Sequence, residues 1–421
     1  RLTSAGAWVA AMLDFEVGLA EVEAELGLIP QEAAAQIAAG VRTGQFDPER
    51  LADSAAESSN SALALLAEVR GRLPEEAAQW VHFGVTSQDL LDSAAMLVVG
   101  RALAGIVSDL EAAAARCAEL ARRHRDTPQL ARTLLQPAVP TTFGLRAAGW
   151  LLSLLESRAS LQALRDDLAL QLGGAAGTQA GLGGHGAEVA ERLAARLGLR
   201  DPGLPWHTRR DRLARLGCAL ALLAGACAKL AGDVILLAQP EIGELAEGGP
   251  RSGSSAMPGK RNAGRAVMIR AEWQAVPGLA ATLISGLAPE LDRGAGGWQA
   301  EAASLSRLLR LAGGAVWRVR MLLESLVVDE RRIRSNLERL APQAAAEGLV
   351  AALAHGAGPE RARRLAERVA AAESGQQAAA VLRAEAGGEG GPELLDPSRH
   401  LGRAPELVDR TLEQARQQGI E

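Results

Sequence analysis

Apolar residues recur at helical spacing along most of the chain. Between 144 and 170, Ala147, Leu154, Leu161 and Leu168 lie one heptad apart, so their side chains form a stripe along one face of a helix. Such a stripe must be buried against other helices, which predicts a helical bundle. Similar long amphipathic helices are predicted at 211–237, 267–284 and 302–327.

Shorter helices are predicted on both sides of this region. Pro30 stands directly before Gln31 and Glu32, a pattern typical of a helix start. Gly-rich stretches at 173–186, 247–264 and 294–297 interrupt the long helices, because glycine disfavours helix interiors. We find no strand-like alternation and predict an all-α protein. Its expected domains are an N-terminal helical domain (1–87), a central long-helix bundle (88–327) and a C-terminal helical domain (328–421).

Composition narrows the class of protein. The 421 residues are 48% hydrophobic, which predicts a globular chain with a large core. The net charge of −5 argues against nucleic acid as a partner. No uninterrupted apolar run reaches about 18 residues and no signal peptide opens the chain, so we expect no membrane association. Three cysteines without metal-type spacing, Cys117, Cys218 and Cys227, indicate reduced thiols in the cytoplasm. We expect no metal and no cofactor.

The most unusual segment is 253–262, which holds two serines, a lysine and an asparagine within nine residues. Only two of the 45 basic residues are lysines, Lys229 and Lys260, so a retained ammonium in this segment suggests a specific need for it. A serine becomes a useful base when a nearby cation and N–H donors stabilise its alkoxide. On composition alone, an ordinary Ser/Gly-rich surface loop remains the alternative.

The segment Gly-Ser-Ser-Ala-Met-Pro-Gly-Lys-Arg-Asn at 253–262 resembles the signature Gly-Ser-Ser-x-x-Pro-x-Lys-x-Asn of the fumarase/aspartase superfamily. The resemblance implies a homotetramer with a central helical bundle and with each active site assembled from three subunits. It also implies that Ser254 is the catalytic base and that Lys260 and Asn262 hold a substrate carboxylate. Ser255 and Met257 are expected to contact the substrate from the same loop.

A second motif, His-Phe-Gly-Val-Thr-Ser-Gln-Asp at 82–89, resembles an element of the adenylosuccinate lyase and 3-carboxy-cis,cis-muconate cycloisomerase branches. Thr86 and Ser87 stand at a predicted helix N-terminus, where hydroxyls and the helix dipole favour an anion. They are expected to bind substrate, although a simple helix cap would use the same residues. His82 is a catalytic candidate with a structural role as the alternative.

Two further motifs resemble family elements that approach the substrate. Arg132, Thr133 and Gln136 match an Arg-Thr-His-x-Gln element, and Leu134 replaces its histidine. The proton donor of several branches therefore has no counterpart at this position. Thr178 closes a Gly-rich turn and is expected to approach a carboxylate.

Other stretches resemble the muconate cycloisomerase branch, and the resemblance covers nearly the whole chain. Within 204–212, His207 and Arg210 are candidate substrate contacts, with a structural role for His207 equally open. The sequence departs from that branch at Gly259, Ala263, Leu291 and the segment around Asn60. Because several of these positions are expected to face the substrate, the exact substrate does not follow from the resemblance.

Three functions remain open from the sequence. The first is a cycloisomerase-like lyase that removes a proton next to a carboxylate of a small di- or tricarboxylate. The second is a lyase that releases fumarate from a substituted succinate, such as nitrosuccinate or an adenylosuccinate-type substrate. Leu134 favours leaving groups that depart without protonation, such as carboxylate or nitrite. The third is a non-catalytic protein, against which the intact Ser254, Lys260 and Asn262 argue.

Overall fold

The structure, a computed structural model, describes residues 1–58, 60–249, 256–257, 259–385 and 391–421. These residues are predominantly helical, which confirms the predicted all-α class. The α-helices are α1 (Ala5–Glu25), α2 (Gln31–Thr43), α3 (Pro48–Ser58), α4 (Ser61–Arg70), α5 (Glu75–Ala78), α6 (Ser87–Arg123), α7 (Phe143–Asp166), α8 (Gly186–Leu197), α9 (Asp211–Leu237), α10 (Gly264–Ser285), α11 (Gly297–Glu324), α12 (Glu330–Arg339), α13 (Ala341–Ala357), α14 (Pro359–Ala370), α15 (Gly375–Glu385) and α16 (Ala404–Gln417). Short 3-10 helices cover Ala180–His185, Pro392–Leu395 and Pro397–His400.

Four of the five longest helices of the central region, α7, α9, α10 and α11, correspond to the four predicted amphipathic segments, and α6 is the fifth. The heptad residues Ala147, Leu154 and Leu161 of α7 are buried, as a stripe facing other helices requires. Helices α6 and α9 are also long and apolar enough to cross a membrane, with mean hydropathies of 1.8 and 1.9 in windows that are 72% and 50% buried. Buried core helices meet the same criterion of length and composition.

The prediction that the chain lacks strands was wrong in detail. Strands β1 (Pro128–Thr133) and β2 (Gln136–Thr142) form an antiparallel hairpin, and β3 (Leu245–Glu247) pairs with β4 (Leu326–Val328). Pro137 and Pro140 interrupt any helix in the first pair. The tip of the hairpin is Leu134-Leu135, both at positive φ (50° and 63°), without the Gly or Asn that usually marks such a turn.

The contacts within the chain define two compact units. Unit 1 comprises 1–108, 157–224 and 272–314, and unit 2 comprises 109–156, 225–271 and 315–421. The long helices supply residues to both units. In unit 2, helices α13, α14 and α15 enclose a separate apolar cluster that includes Leu349, Val369 and Leu382. The three-domain division at 87/88 and 327/328 stays a prediction.

Candidate active site

In unit 1, the N-terminus of α6 carries two of the predicted substrate ligands. Ser87 opens the helix, and its hydroxyl oxygen accepts a hydrogen bond from the Asn60 side-chain amide at 3.1 Å. The hydroxyl of Thr86 accepts one from the Arg293 guanidinium at 3.1 Å. Because each oxygen already accepts a bond, its own proton is free to point elsewhere. Two hydroxyl donors, a guanidinium and the positive end of a helix dipole therefore form a corner suited to an anion.

Arg293 also fixes the Gly-rich turn at 173–178. Its other terminal nitrogen donates to the carbonyl oxygens of Gly174 and Ala175, both at 3.2 Å. The turn can form because Gly174 and Gly177 adopt positive φ values of 66° and 80°. Thr178, a predicted ligand, is exposed on this turn. The structure thus brings Thr86, Ser87 and the turn that carries Thr178 into one region of unit 1.

The buried carboxylate of Asp89 also connects the N-terminus of α6 to the Gly-rich turn. It accepts hydrogen bonds from the backbone N–H groups of Thr86, Gly173 and Gly174 and from the side chain of Gln171, at 2.7 to 3.0 Å. Burial raises the pKa of Asp89, and these four donors oppose that rise. Four donors converging on two oxygens favour the ionised carboxylate. Asp89 therefore locks the first turn of α6 onto the Gly-rich turn.

His207 packs its ring against Gly177. A Cβ at Gly177 would lie 2.6 Å from the His207 Cε1 atom, so only glycine fits at this contact. The backbone carbonyl of His207 accepts a bond from Gln88 at 2.8 Å. Its Nδ1 is buried and has no hydrogen-bond partner among the described residues. Both candidate roles of His207, structural and substrate-binding, remain predictions.

Arg210 is the centre of a buried ion network. Its guanidinium is 2% exposed and bonds Asp92 through two nitrogens at 2.6 and 3.0 Å and Glu301 through Nε at 3.2 Å. It also lies 5.0 Å from the centroid of the Trp206 ring, and the Trp298 indole donates to Asp92 at 3.1 Å. These contacts occupy the guanidinium and favour a structural role. Substrate contact by Arg210 stays a prediction.

His82 lies in the turn that leads into α6 and has the unusual positive φ of 63°. Its Nδ1 is 2.6 Å from the Oε1 atom of Glu16 on α1. Gly84, two residues later, contacts the segment after Thr178, because a Cβ there would lie 2.5 Å from Leu182 Cδ2. The motif that carries His82 is thereby fixed beside the Gly-rich turn.

In unit 2, the β1–β2 hairpin carries the third predicted motif. The Arg132 guanidinium bonds the buried Glu244 carboxylate at 2.7 Å, and Gln129 and Asn336 donate to the same carboxylate at 2.7 and 2.8 Å. Arg132 therefore anchors the hairpin close to its tip. Thr133 and Gln136 pair across its end and are exposed.

Ser254 and Ser255, the predicted base and its neighbour, lie outside the described residues. Beside them, Met257 and Lys260 are exposed, and Asn262 is half-buried just before α10. The Glu247 carboxylate accepts the backbone N–H groups of Arg265 and Ala266 at 3.2 and 2.9 Å, which caps the first turn of α10. Glu244 directly precedes strand β3 and Glu247 is its last residue, so the carboxylates that hold Arg132 and the start of α10 come from positions about 10 Å apart along the chain.

Several residues of the candidate site could not be identified from sequence motifs. Arg293 and Asn60 stand in stretches noted only as departures from the muconate cycloisomerase branch, and Glu16 and Glu244 lie in no recognised motif. Their partners lie 27 to 207 residues away in the sequence. The helical pattern does place Glu16 on the otherwise buried face of α1, and a charged residue on such a face was the available signal.

Comparisons with known proteins identify the family of the chain. A family model described as "Lyase" matches residues 3–278, more than half of the chain. Nitrosuccinate lyase of Streptomyces davaonensis is 43% identical over 97% of this chain and 91% of its own length. The 3-carboxy-cis,cis-muconate cycloisomerase of Pseudomonas aeruginosa is 42% identical over 97% of this chain and 92% of its own length.

A solved structure shares the fold over the same extent. The 3-carboxy-cis,cis-muconate lactonizing enzyme of Pseudomonas putida superposes with a TM-score of 0.89 at 38% identity, covering 97% of this chain and 94% of that one. The resemblance first noted in the serine-containing signature thus extends over nearly the full length in sequence and in fold. The chain belongs to this lyase family of the fumarase/aspartase superfamily and is an enzyme of the lyase class.

Proposed function

We propose that the enzyme acts on a small di- or tricarboxylate, removing a proton from the carbon next to a carboxylate and expelling a group from the neighbouring carbon. Ser254 takes the proton, and the electrons of the broken C–H bond move into the carboxylate to give a dianionic aci-carboxylate. Lys260 and Asn262 stabilise this charge from the serine loop, with Ser255 and Met257 lining it. The electrons then return to form the C=C bond as the leaving group departs with its own pair.

The observation that carries this proposal is the contact between Arg293 and Thr86 at the N-terminus of α6. It combines a guanidinium, the hydroxyls of Thr86 and Ser87 and a helix dipole within one region, and such donors match the oxygens of a carboxylate. The adjacent turn adds Thr178. From the hairpin, Thr133 and Gln136 are proposed to supply exposed polar groups, held in place by Arg132.

The leaving group is proposed to be weakly basic. Leu134, which is 96% exposed at the hairpin tip, has no proton to give, so this position favours groups that leave as stable anions. In the eliminating direction of a muconolactone, the ring oxygen leaves as a carboxylate. The main proposal is therefore a 3-carboxy-cis,cis-muconate cycloisomerase-like activity. The alternative, elimination of nitrite from nitrosuccinate to give fumarate, is supported by the same residue and by a relative of equal similarity.

A proton NMR time course of the purified enzyme separates the two substrates. Lactone formation from 3-carboxy-cis,cis-muconate alone would establish the cycloisomerase, and fumarate from nitrosuccinate alone would establish the alternative. Ser254→Ala should fold normally and lose turnover of the active substrate by about 10³-fold or more. Ser285→Ala, an exposed serine at the end of α10, serves as the matched control. Wild-type turnover by Ser254→Ala would disprove the assignment of the base.

We also propose that the active enzyme is a cytoplasmic homotetramer whose sites combine residues from three subunits. The proposed ligands fall into two groups, one in unit 1 and one in unit 2, which suits sites shared between copies. Light scattering should give about four times the monomer mass of 43.8 kDa. Full activity of a monomer would contradict this arrangement.

A further inference from the structure

The buried pair of Glu16 and His82 is a feature of unit 1 that the proposed proton abstraction does not use. The Glu16 carboxylate lies 2.6 Å from His82 Nδ1, and the two side chains are only 1% and 9% exposed. A bond this short between buried groups is typical of a charge-assisted hydrogen bond. The carboxylate therefore fixes the ring orientation and requires a proton on Nδ1.

The other ring nitrogen of His82 is left without a protein partner. Nε2 is buried and makes no hydrogen bond with any described residue. A buried polar atom is normally satisfied, so an unsatisfied one in a substrate-binding motif indicates a bound molecule as its partner. The positive φ of His82 also supports a functional role. Strained backbone persists where surrounding contacts enforce it and is frequent at functional sites.

A second buried carboxyl group, Glu23, lies on the same helix α1 and differs from Glu16 in its contacts. Glu23 follows Glu16 by two helical turns on the buried face, and both its oxygens lack a partner among the described residues. Burial, with a smaller contribution from Glu16, raises the pKa of Glu23 to about 9. Glu23 is therefore neutral near pH 7, and only Glu16 of the two contacts a ring nitrogen of His82.

We propose that Glu16 is a positioning residue that holds His82 as a doubly protonated ring, with Nε2–H donating a hydrogen bond to the departing anionic group of the substrate. The positive ring and the Glu16 carboxylate balance in charge, so both can be buried. No proton is transferred: it stays on Nε2, and the bond strengthens as negative charge develops on an oxygen of the departing carboxylate or nitrite. This donor supplies what Leu134 cannot. The inference rests on the proposed elimination and applies equally to a carboxylate or a nitrite leaving group.

The test compares three variants on whichever substrate the wild-type enzyme converts. His82→Asn should lower kcat about 100-fold with little change in KM, because the bond matters most in the transition state. Glu16→Gln, which keeps the size of the side chain and removes its charge, should lower kcat at least about tenfold, and Glu16→Asp should restore part of the loss. Glu23→Gln is the matched control on the same face of α1 and should keep wild-type kcat.

The double variant Glu16→Gln/His82→Asn decides whether Glu16 acts through His82. If it does, the double variant has the kcat of His82→Asn within about twofold. Additive losses, or wild-type kcat in a folded Glu16→Gln, would overturn the inference. Thermal unfolding of each variant identifies losses caused by misfolding, in which case the comparison of Glu16→Asp with wild type carries the test. Failure of the wild type to convert either substrate would refute the two proposed activities instead, before any variant is compared.

Discussion

The Arg293 guanidinium and the Thr86 hydroxyl are joined by a hydrogen bond of 3.1 Å across 207 residues of sequence. Arg293 also holds the carbonyl oxygens of the Gly-rich turn, so one side chain connects the start of α6, that turn and the loop before α11. Lysine could supply the charge at this position but not the planar fork that reaches three acceptors. The geometry of the anion corner therefore depends on Arg293 as well as on Asp89 of the recognised motif.

Arg293→Lys is expected to raise KM about 10- to 100-fold, because it loses charge-assisted bonds worth roughly 1.5–3 kcal/mol. Steady-state kinetics on the active substrate measures the effect. Arg310→Lys, an exposed arginine on α11, is the matched control. An unchanged KM in Arg293→Lys would show that the corner does not bind the substrate.

Arg210→Met is expected to destabilise the protein by about 3–5 kcal/mol, because it leaves the buried carboxylates of Asp92 and Glu301 without their cation. Thermal unfolding should show a lower midpoint, whereas Arg209→Met, an exposed neighbour, should unfold like the wild type. If the role is purely structural, KM measured well below the midpoint stays within about threefold. A large rise in KM with an unchanged midpoint would instead establish the predicted substrate contact.

A substitution at the hairpin tip is expected to stabilise the protein. Leu134 and Leu135 both occupy the left-handed region, where a non-glycine residue costs about 1–3 kcal/mol. Replacing them with Asn and Gly, the residues that favour this turn, should raise stability by about 1 kcal/mol or more in a thermal or urea unfolding experiment. A loss of stability would contradict the strain argument and would mean that the two leucines are covered in the assembled enzyme.

The long helices could be predicted from the sequence because heptad spacing is a local property. The segments predicted at 211–237 and 267–284 correspond to α9 at Asp211–Leu237 and α10 at Gly264–Ser285. The hairpin could not be predicted in this way. Pro137 and Pro140 weaken the strand signal, and the left-handed leucines give none of the turn signals by which a hairpin is recognised.

The residues of the candidate site likewise differ in whether the sequence alone could identify them. Thr86 and Ser87 could be predicted as ligands because they stand in a contiguous motif at a predicted helix start. The structure places them at the start of α6, and their substrate role stays a prediction. The partners that orient the motif, Arg293, Asn60 and Glu16, come from distant segments, and only the fold brings them together. The same holds for the Arg210 network, where the sequence indicated a binding residue and the contacts favour a structural one.

Glu23 predicts how stability depends on pH. Its folded pKa of about 9 lies above its ordinary value of 4.5, so between these values the folded protein retains a proton that the unfolded chain releases. Stability from this group is therefore complete below about pH 4.5 and is lost as the pH rises towards 9, by up to about 1.4 kcal/mol per pH unit.

Glu23→Gln, which is neutral at every pH, removes this loss. The stability difference between Glu23→Gln and wild type, measured by urea unfolding from pH 5 to 9, should grow steadily in favour of the variant. The exposed Glu32→Gln should show no such trend, and a flat difference for Glu23→Gln would mean that the carboxyl group is solvated or paired in the folded enzyme.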